Sequence, residues 1–304
     1  MIKHSLIAAA VAVASFGAQA ENLVGLTSTN QIVQFDSASP LQGSVVSISG
    51  LALNERLLGL DARPTTGLLY SISDAGKLYT LDAFSGVATF VAALTGATPA
   101  AGGGLFTGLV GTSFGIDFNP VPDLAQVAPS LRVVSNAGQN LRINVNGASA
   151  GQTFMDTALS GASSSIVASA YTNNDTNPNT GTVLFGIDTR ADALFTTANP
   201  NGGVMTLVGS LGTDAIGVSA FDVSGSGIAY AALTDGDTAR SMLYSINLST
   251  GAATSLGAFG VNGNVIQAPL IGLTAAAAVP EPSSVALMLA GLGLMGVAMR
   301  RRKA

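Results

Sequence analysis

The chain has 304 residues, of which 48% are hydrophobic and 10% are charged, and its formal net charge is −5. It contains no cysteine, and its single histidine is His4. This composition excludes thiol redox chemistry, and it excludes histidine-dependent catalysis and histidine-ligated zinc from the whole chain after residue 4.

The first twenty residues form a predicted signal peptide. Lys3 and His4 precede an apolar run from Leu6 to Phe16, and Ala18-Gln19-Ala20 gives the small-x-small pattern that signal peptidase cleaves. We therefore expect export, cleavage at Ala18 and Ala20, and a mature chain that begins at Glu21.

The predicted mature domain, residues 21–278, is acidic. Without residues 1–20 and 279–304, the chain keeps 7 basic and 16 acidic side chains, a net charge of −9. Such a surface repels phosphate backbones, so no nucleic-acid partner is expected.

Sequence repeats indicate an all-β ring. The segment 59–64, "GLDARP", recurs as "GIDFNP" at 115–120, and "LYTLDAFSGVAT" at 78–89 is echoed by "LYSINLSTGAAT" at 243–254. The clearest unit contains four predicted strands, at 57–61, 68–73, 77–82 and 88–94, and further units fall at about 113–159, 165–211 and 216–260. Repeats of roughly 40–50 residues are typical of β-propellers, so we predict five four-stranded blades, with a β-sandwich as the alternative.

The ring is predicted to close by pairing of the two ends of the domain. The N-terminal segment supplies three strands, at 23–28, 31–36 and 45–49, and lacks an inner one. The stretch 268–274 resembles the opening strand of the other units. It is predicted to complete the first blade and so protect the sheet edges.

The middle of the chain resembles a domain of unknown function that is common in bacterial secreted proteins. The resemblance rests on "SFGIDFNP" at 113–120, "LRVVSNAGQNLRIN" at 131–144 and "LVGLTSTNQIVQFDSASP" at 23–40, and it spans most of residues 22–275. It implies no established activity and no catalytic residues. The insertion "DLAQVAPS" at 123–130 departs from the family pattern and predicts an enlarged loop.

Three aspartates end equivalent strands and are the candidate cation site. They are Asp61, Asp117 and Asp222. Equivalent positions in a propeller gather around one axis, so the three carboxylates are expected either to converge on a cation such as calcium or, as the favoured alternative, to cap the turns after their own strands. No other cofactor is predicted.

Four polar residues and three loops carry weaker expectations. Arg132, Arg142, Asn140 and Gln139 either bind an anionic sugar or, as the favoured alternative, make inter-blade contacts. The loops 172–181 and 234–240 are predicted to be solvated hairpin tips, and the glycine-rich segment 101–111 is predicted to be a flexible connector.

The C-terminal residues 279–304 resemble a PEP-CTERM sorting tail. Val279-Pro280-Glu281-Pro282 is followed by an uncharged stretch, Val285 to Met299, and by the basic cluster Arg300-Arg301-Arg302-Lys303. The resemblance implies a Gram-negative, exopolysaccharide-producing bacterium and an exosortase that cuts near Pro-Glu-Pro. The stretch at about 284–299 is predicted to anchor transiently in the inner membrane with the basic cluster in the cytoplasm, the alternative being a simple membrane anchor.

These features predict a non-enzymatic protein at the cell surface or outside the cell, which binds polysaccharide, a cation or another protein in a biofilm matrix. The alternative function is a calcium-assisted or carboxylate-dependent propeller enzyme that acts on a sugar or a lactone. A third is a structural matrix component without a discrete ligand.

Overall fold

The computed structural model describes residues 20–98, 102–125, 130–175, 177, 179–238 and 240–275. Most of the predicted signal peptide and all of the predicted sorting tail, including the expected membrane helix at about 284–299, lie outside these residues. In the described part of the chain, no helix has the length and apolar character needed to cross a bilayer.

Within the described ranges the chain is almost entirely β-structure, with one short α-helix and two 3-10 helices. The strands and helices are, in chain order, β1 Asn22–Thr27, β2 Gln31–Asp36, β3 Ser39–Ser47, β4 Leu57–Ala62, β5 Leu69–Ser73, β6 Lys77–Leu81, β7 Ala88–Ala93, β8 Thr95–Gly96, β9 Phe114–Phe118, α1 Pro120–Ala125, β10 Leu131–Ser135, β11 Asn140–Ile143, the 3-10 helix Gly147–Ser149, β12 Gln152–Met155, β13 Ser160–Gly161, β14 Ala168–Tyr171, β15 Leu184–Asp188, β16 Ala193–Thr197, the 3-10 helix Pro200–Gly202, β17 Val204–Ser210, β18 Ala215–Val223, β19 Ala229–Asp235, β20 Ser241–Ile246, β21 Ala253–Ala258, β22 Gly260–Val261, β23 Asn264–Val265 and β24 Leu270–Ala275.

The strands form five sheets, each of which is one blade of a β-propeller with four antiparallel main strands. From the inner strand outward, blade 1 contains β24, β1, β2 and β3, blade 2 contains β4 to β7, blade 3 contains β9 to β12, blade 4 contains β14 to β17, and blade 5 contains β18 to β21. The short strands β8, β13, β22 and β23 extend the outer edges of blades 3, 4 and 1. The predicted five-bladed fold is confirmed.

Ring closure also follows the prediction. Strand β24, from the C-terminal end of the domain, pairs antiparallel with β1 and supplies the inner strand that the N-terminal segment lacks. The register places Leu23 opposite Ala275 and Gly25 opposite Leu273. Hydrogen bonds between the first and last strands therefore hold the ring closed, and an open inner edge is avoided.

Turn residues explain why the repeated units form hairpins at these positions. In blade 2, Oδ1 of Asp82 accepts hydrogen bonds from the backbone N–H groups of Phe84 and Ser85, at 2.9 and 2.8 Å. In blade 5, Asn247 bonds the turn in the same way, and each turn ends in a glycine with positive φ, Gly86 at 72° and Gly251 at 84°. An L-residue with a side chain is strained at such angles, so glycine is required there.

The five inner strands surround an axis that is almost closed. Small residues occupy the same position on these strands: Gly59, Gly115, Ser169, Ala220 and Gly272. A Cβ atom added to Gly115 would lie 2.5 Å from the backbone nitrogen of Ser169 on the next blade. The axial cavity at this level has a volume of about 10 Å³, roughly the room that one water molecule requires.

The insertion at 123–130 begins inside the short helix α1, and its residues 126–129 lie outside the described residues. Asp123 of α1 is 1% exposed and forms an ion pair of 2.7 Å with Nε of Arg63 in blade 2. The hydroxyl of Ser130, at the end of the insertion, donates a further hydrogen bond of 3.0 Å to Asp123. The insertion therefore joins blades 2 and 3.

The glycine-rich connector between blades 2 and 3 is held by specific contacts where it is described. The hydroxyl of Ser135 donates to the carbonyl of Val110 at 2.6 Å, and the amide of Gln139 donates to the carbonyl of Gly108 at 2.8 Å. Phe106 of the connector is 8% exposed and packs into the core of blade 3. Two carbonyls of this segment are therefore bonded to blade 3, and the flexibility of the connector stays a prediction.

Candidate functional site

A second ring of side chains, all of them polar, surrounds the axis next to the ring of small residues. Each lies two positions after its small residue and therefore shares its face of the strand: Asp61 in blade 2, Asp117 in blade 3, Tyr171 in blade 4, Asp222 in blade 5 and Thr274 in blade 1. The repeated segments predict the three aspartates but not Tyr171 and Thr274, although the identical spacing of these two from Ser169 and Gly272 was the available signal.

The three candidate aspartates converge. One carboxylate oxygen from each of Asp61, Asp117 and Asp222 lies within 4.8 Å of the others. The three residues are 1%, 3% and 1% exposed, respectively. We call these residues the axial triad. The propeller geometry brings them together, and the surrounding blades close them off from solvent.

The axial triad bonds neighbouring blades to one another. Asp61 Oδ2 accepts from the backbone N–H of Phe118 at 2.7 Å, and Asp117 Oδ2 accepts from that of Tyr171 at 2.6 Å. Asp222 Oδ2 accepts from the backbone N–H of Ala275 at 2.5 Å. Each of these donors lies on the inner strand of the next blade. The favoured expectation that the aspartates cap their own turns therefore does not describe these bonds.

Thr274 adds a side-chain bond between blades 1 and 2. Its hydroxyl donates to Oδ1 of Asp61 at 2.8 Å, and the same oxygen accepts from the backbone N–H of Ala62 at 2.7 Å. Both oxygens of Asp61 are thus engaged.

Burial governs the electrostatics of the axial triad. Loss of hydration, followed by the charge of Asp222, raises the pKa of Asp61. Loss of hydration and then the charge of Asp61 raise the pKa of Asp117 well above its usual range. Burial also raises the pKa of Asp222, whose Oδ1 has no hydrogen-bond partner among the described residues. Three carboxylates this close cannot all stay ionised without a compensating proton or cation.

The axial triad supplies only part of what calcium requires. Calcium takes about six to eight oxygen ligands. Both oxygens of Asp61, and one each of Asp117 and Asp222, already accept hydrogen bonds. A calcium ion here would need further oxygens, whereas shared protons need none. The arrangement therefore suits protonated carboxyl groups that hold the blades together.

Arg132, in the second strand of blade 3, lies beside this axis. Its side chain is 3% exposed, and it is the centre of an inter-blade network. It donates from Nε to the hydroxyl of Tyr171 at 3.1 Å and from Nη2 to Oδ1 of Asn201 at 2.6 Å, both in blade 4. It also donates from Nη1 to Asn140 at 2.7 Å and to Asp156 at 2.9 Å. The favoured expectation of an inter-blade role for Arg132 matches this geometry.

Arg142 shares Asp156 with Arg132. Its Nε and Nη2 atoms donate to the two oxygens of Asp156, each at 2.7 Å, and its guanidinium carbon lies 5.6 Å from the centre of the Phe154 ring. Hydrogen bonding to Asp156 is the main cause that raises the pKa of Arg142. Arg142 therefore remains a fixed cation.

A cleft of about 190 Å³ lies between blades 3 and 4 and is bordered by both arginines. We call it the arginine cleft. Its lining residues are Asn119, Pro122, Ser130, Arg132, Arg142, Tyr171 and Asn201.

The other candidate residues take simple roles or lie outside the described chain. Oδ1 of Asp235 accepts from the backbone N–H of Thr238 at 2.8 Å, as expected for a hairpin tip. Ala20 is exposed. The sorting motif Val279 to Pro282, the basic cluster Arg300 to Lys303 and Ala18 lie outside the described residues.

Two sequence families match the chain. The family described as "Domain of unknown function (DUF4394)" matches residues 31–268, and the PEP-CTERM protein-sorting motif matches residues 278–303. A search of curated proteins found no match.

Several solved structures are similar to the chain at low identity. A candidate 6-phosphogluconolactonase from Bacteroides uniformis is 14% identical with a TM-score of 0.41, over 78% of this chain and 82% of that one. A structural-genomics protein of unknown function from Bacteroides thetaiotaomicron is 12% identical with a TM-score of 0.46, over 83% of this chain and 63% of that one. U3-55K is 10% identical with a TM-score of 0.42, over 81% of this chain and 85% of that one. No ligand or activity is transferred from these similarities.

The first family covers the ring from β2 to β23, and the sorting motif begins three residues after the closing strand β24. This chain therefore belongs to the DUF4394 family and carries a PEP-CTERM motif, which makes it an exosortase-sorted surface protein.

Proposed function

We propose that the propeller acts at the cell surface or in the extracellular matrix as a binding domain and does not catalyse a reaction. The observation that supports this proposal is the state of the axial triad. Its carboxylates are at most 3% exposed and accept hydrogen bonds from the backbone of neighbouring blades. They bond the blades to one another and are almost completely buried.

The alternative function, a carboxylate-dependent enzyme, requires a geometry different from that of the axial triad. Glycosidases use two carboxyl groups roughly 5–10 Å apart that flank a substrate bond and leave room for it. In the part of the chain that the structure describes, the axial triad is the one close group of three or more metal-ligating side chains. Its oxygens lie within 4.8 Å of one another, and the axial cavity holds about 10 Å³.

Export and sorting give the propeller its location. We propose that the predicted signal peptide directs export, that the tail anchors transiently in the inner membrane, and that exosortase processing then releases the domain or transfers it to the cell surface. Strand β24 ends at Ala275, and the sorting motif matches from residue 278. The sequence thus leaves only a few residues between the ring and the tail.

A paired binding and turnover survey tests the proposal. The full-length chain, solubilised in a nonionic detergent, is offered a panel of glycans and extracellular proteins, and each retained glycan and a set of lactones are then assayed for hydrolysis. We expect at least one retained and chemically unchanged ligand. Hydrolysis that disappears in Asp117→Asn would overturn the proposal, and so would self-assembly of the purified chain without any retained ligand.

A further inference from the structure

The arginine cleft has an excess of positive charge in an acidic protein. Arg132 and Arg142 share one carboxylate, that of Asp156, whose side chain is 1% exposed. The neighbouring Arg63 and Asp123 compensate each other in a separate ion pair of 2.7 Å. Asp117 lies opposite Arg132 in the strand ladder, but its Oδ2 accepts from the backbone N–H of Tyr171, and among the described residues it forms no ion pair with Arg132. One guanidinium charge at the cleft is therefore left without a partner.

Some donors at the cleft are free. Of the nitrogens of Arg142, Nη1 donates no hydrogen bond to any described residue, and the side-chain nitrogen of Asn201 likewise has no acceptor there. The side chain of Arg142 is 19% exposed, so a ligand can reach it. Arg132, at 3% exposed, is fixed behind it by Tyr171 and Asn201.

We propose that the arginine cleft binds the carboxylate of a sugar acid. This inference rests on the proposed binding function and names the ligand class for it. Asp156 occupies the Nε and Nη2 edge of Arg142, so a ligand carboxylate would accept from Nη1 and from the second N–H of Nη2. A fixed, partly buried cation gains more from such a pair than an exposed one.

The rest of the lining favours a hydroxylated anion. Asn119 and Asn201 present side-chain amide groups, which pair with sugar hydroxyls. The cleft volume of about 190 Å³ is below the roughly 300–1,000 Å³ that is usual for small-molecule pockets. It suits one acidic sugar unit, either free or at the end of a chain.

Isothermal titration calorimetry on the full-length chain in nonionic detergent tests this site. D-galacturonate and D-glucuronate are the probes, D-galactose is the neutral sugar control, and inorganic phosphate is the control for a non-sugar anion. We expect one of the two uronates to bind at least tenfold more tightly than galactose and phosphate.

Two matched charge removals localise the binding. Arg142→Gln removes the accessible guanidinium, and because Arg142 bonds only within blade 3 among the described residues, the bridge between blades made by Arg132 stays intact. Arg190→Gln removes the same charge from a side chain that is 72% exposed and does not line the cleft. The first variant should lose at least tenfold in uronate affinity, and the second should bind like the wild type.

Any one of three results would overturn the proposed site: no uronate binding by the wild type, equal binding of uronate and phosphate, or unchanged uronate affinity in Arg142→Gln. If Arg142→Gln does not fold, the affinities of the wild type for uronate, galactose and phosphate still decide whether the protein binds a sugar acid selectively. If the uronates do not bind but the survey finds another retained ligand, the proposed binding function is supported and this site is rejected. Turnover of a uronate would overturn the proposed function itself.

Discussion

The hydroxyl of Thr274 donates a hydrogen bond of 2.8 Å to Oδ1 of Asp61, although the two residues are 213 positions apart in the chain. Thr274 lies on the closing strand β24, and Asp61 lies on the inner strand of blade 2. With the bonds from Asp61, Asp117 and Asp222 to the next inner strands, this contact forms a set of buried polar links around the axis. Loss of such a hydrogen bond lowers stability more in the interior than at the surface, because a buried polar group without a hydrogen-bond partner is costly in free energy.

Replacing Thr274 should weaken ring closure. Thr274→Val keeps the shape of the side chain but leaves Oδ1 of Asp61 with one donor fewer, so we expect a loss of about 1–3 kcal/mol in the free energy of unfolding. Urea denaturation of the full-length chain measures it. Thr206→Val, at an exposed position on the outer strand of blade 4, is the matched control and should be neutral. Equal stability of the two variants would contradict a role for this bond.

The axial triad should make the ring less stable as pH rises. Burial raises the pKa of Asp61 to about 8 and that of Asp222 to about 6, from an ordinary value of 3.8. The folded state then binds more protons than the unfolded state, so this contribution is complete below about pH 4 and is lost as pH rises through about 6 to 8. Urea unfolding in the presence of EDTA should show lower stability at pH 8 than at pH 5.

Asp117→Asn is the variant that isolates this effect. The asparagine oxygen can still accept from the N–H of Tyr171, but the side chain no longer ionises. We expect the pH dependence between 5 and 8 to become shallower, and the variant to exceed the wild type at pH 8. A variant that follows the wild-type pH profile would show that Asp117 does not share in the titration.

Glu55 should make the folded protein less stable as pH falls, whereas the axial triad makes it less stable as pH rises. Burial by itself raises the pKa of Glu55, but hydrogen bonds from Ser73, Lys77, Ala52 and Tyr79 outweigh it and lower the pKa from 4.5 to about 2. The folded state therefore favours the ionised form. This contribution is complete above about pH 4.5 and is lost as pH falls through about 2.

Removal of the Glu55 charge should be costly at neutral pH. Glu55→Gln should lower the free energy of unfolding by on the order of 2–3 kcal/mol at pH 7, and by less at pH 3. Asp237→Asn, at an exposed hairpin position, is the control and should change little. The same loss at both pH values would mean that packing, and not ionisation, explains the effect.

The narrow axis should reject a side chain at Gly115. Gly115→Ala places a Cβ 2.5 Å from the backbone nitrogen and 2.6 Å from the hydroxyl of Ser169. Because backbone of the next blade must move, we expect a loss of at least about 1–3 kcal/mol. Gly181→Ala, where no atom lies within 4 Å of the added Cβ, is the control. Thermal unfolding monitored by circular dichroism compares the two, and similar midpoints would disprove the close approach.

Processing of the tail can be read from the mature C-terminus. Mass spectrometry of the native protein should find a chain that ends near Pro280-Glu281-Pro282, and a strain without the exosortase should keep the chain to Ala304. Replacement of Pro280, Glu281 and Pro282 by alanine should also prevent cleavage. An intact C-terminus in the wild-type strain would instead support a permanent membrane anchor.

The sequence alone determined the ring and its closure. The repeated "GLDARP" and "GIDFNP" segments, the Asp82 and Asn247 turns and the strand-like stretch at 268–274 are local patterns, and turn chemistry and strand alternation act over a few residues. The same repeats place Asp61, Asp117 and Asp222 at equivalent positions, which share one axis in a propeller, although the favoured expectation was that each caps its own turn.

Only the tertiary structure decided what the site residues contact. The donors to Asp61, Asp117 and Asp222 lie 57, 54 and 53 residues further along the chain, and no local pattern specifies that register. Tyr171 and Thr274 occupy the same ring as the aspartates with different chemistry, so repeat matching by residue type missed them. The raised pKa values and the excess charge of the arginine cleft likewise arise from burial and from the sharing of Asp156, which exist only once the blades have packed.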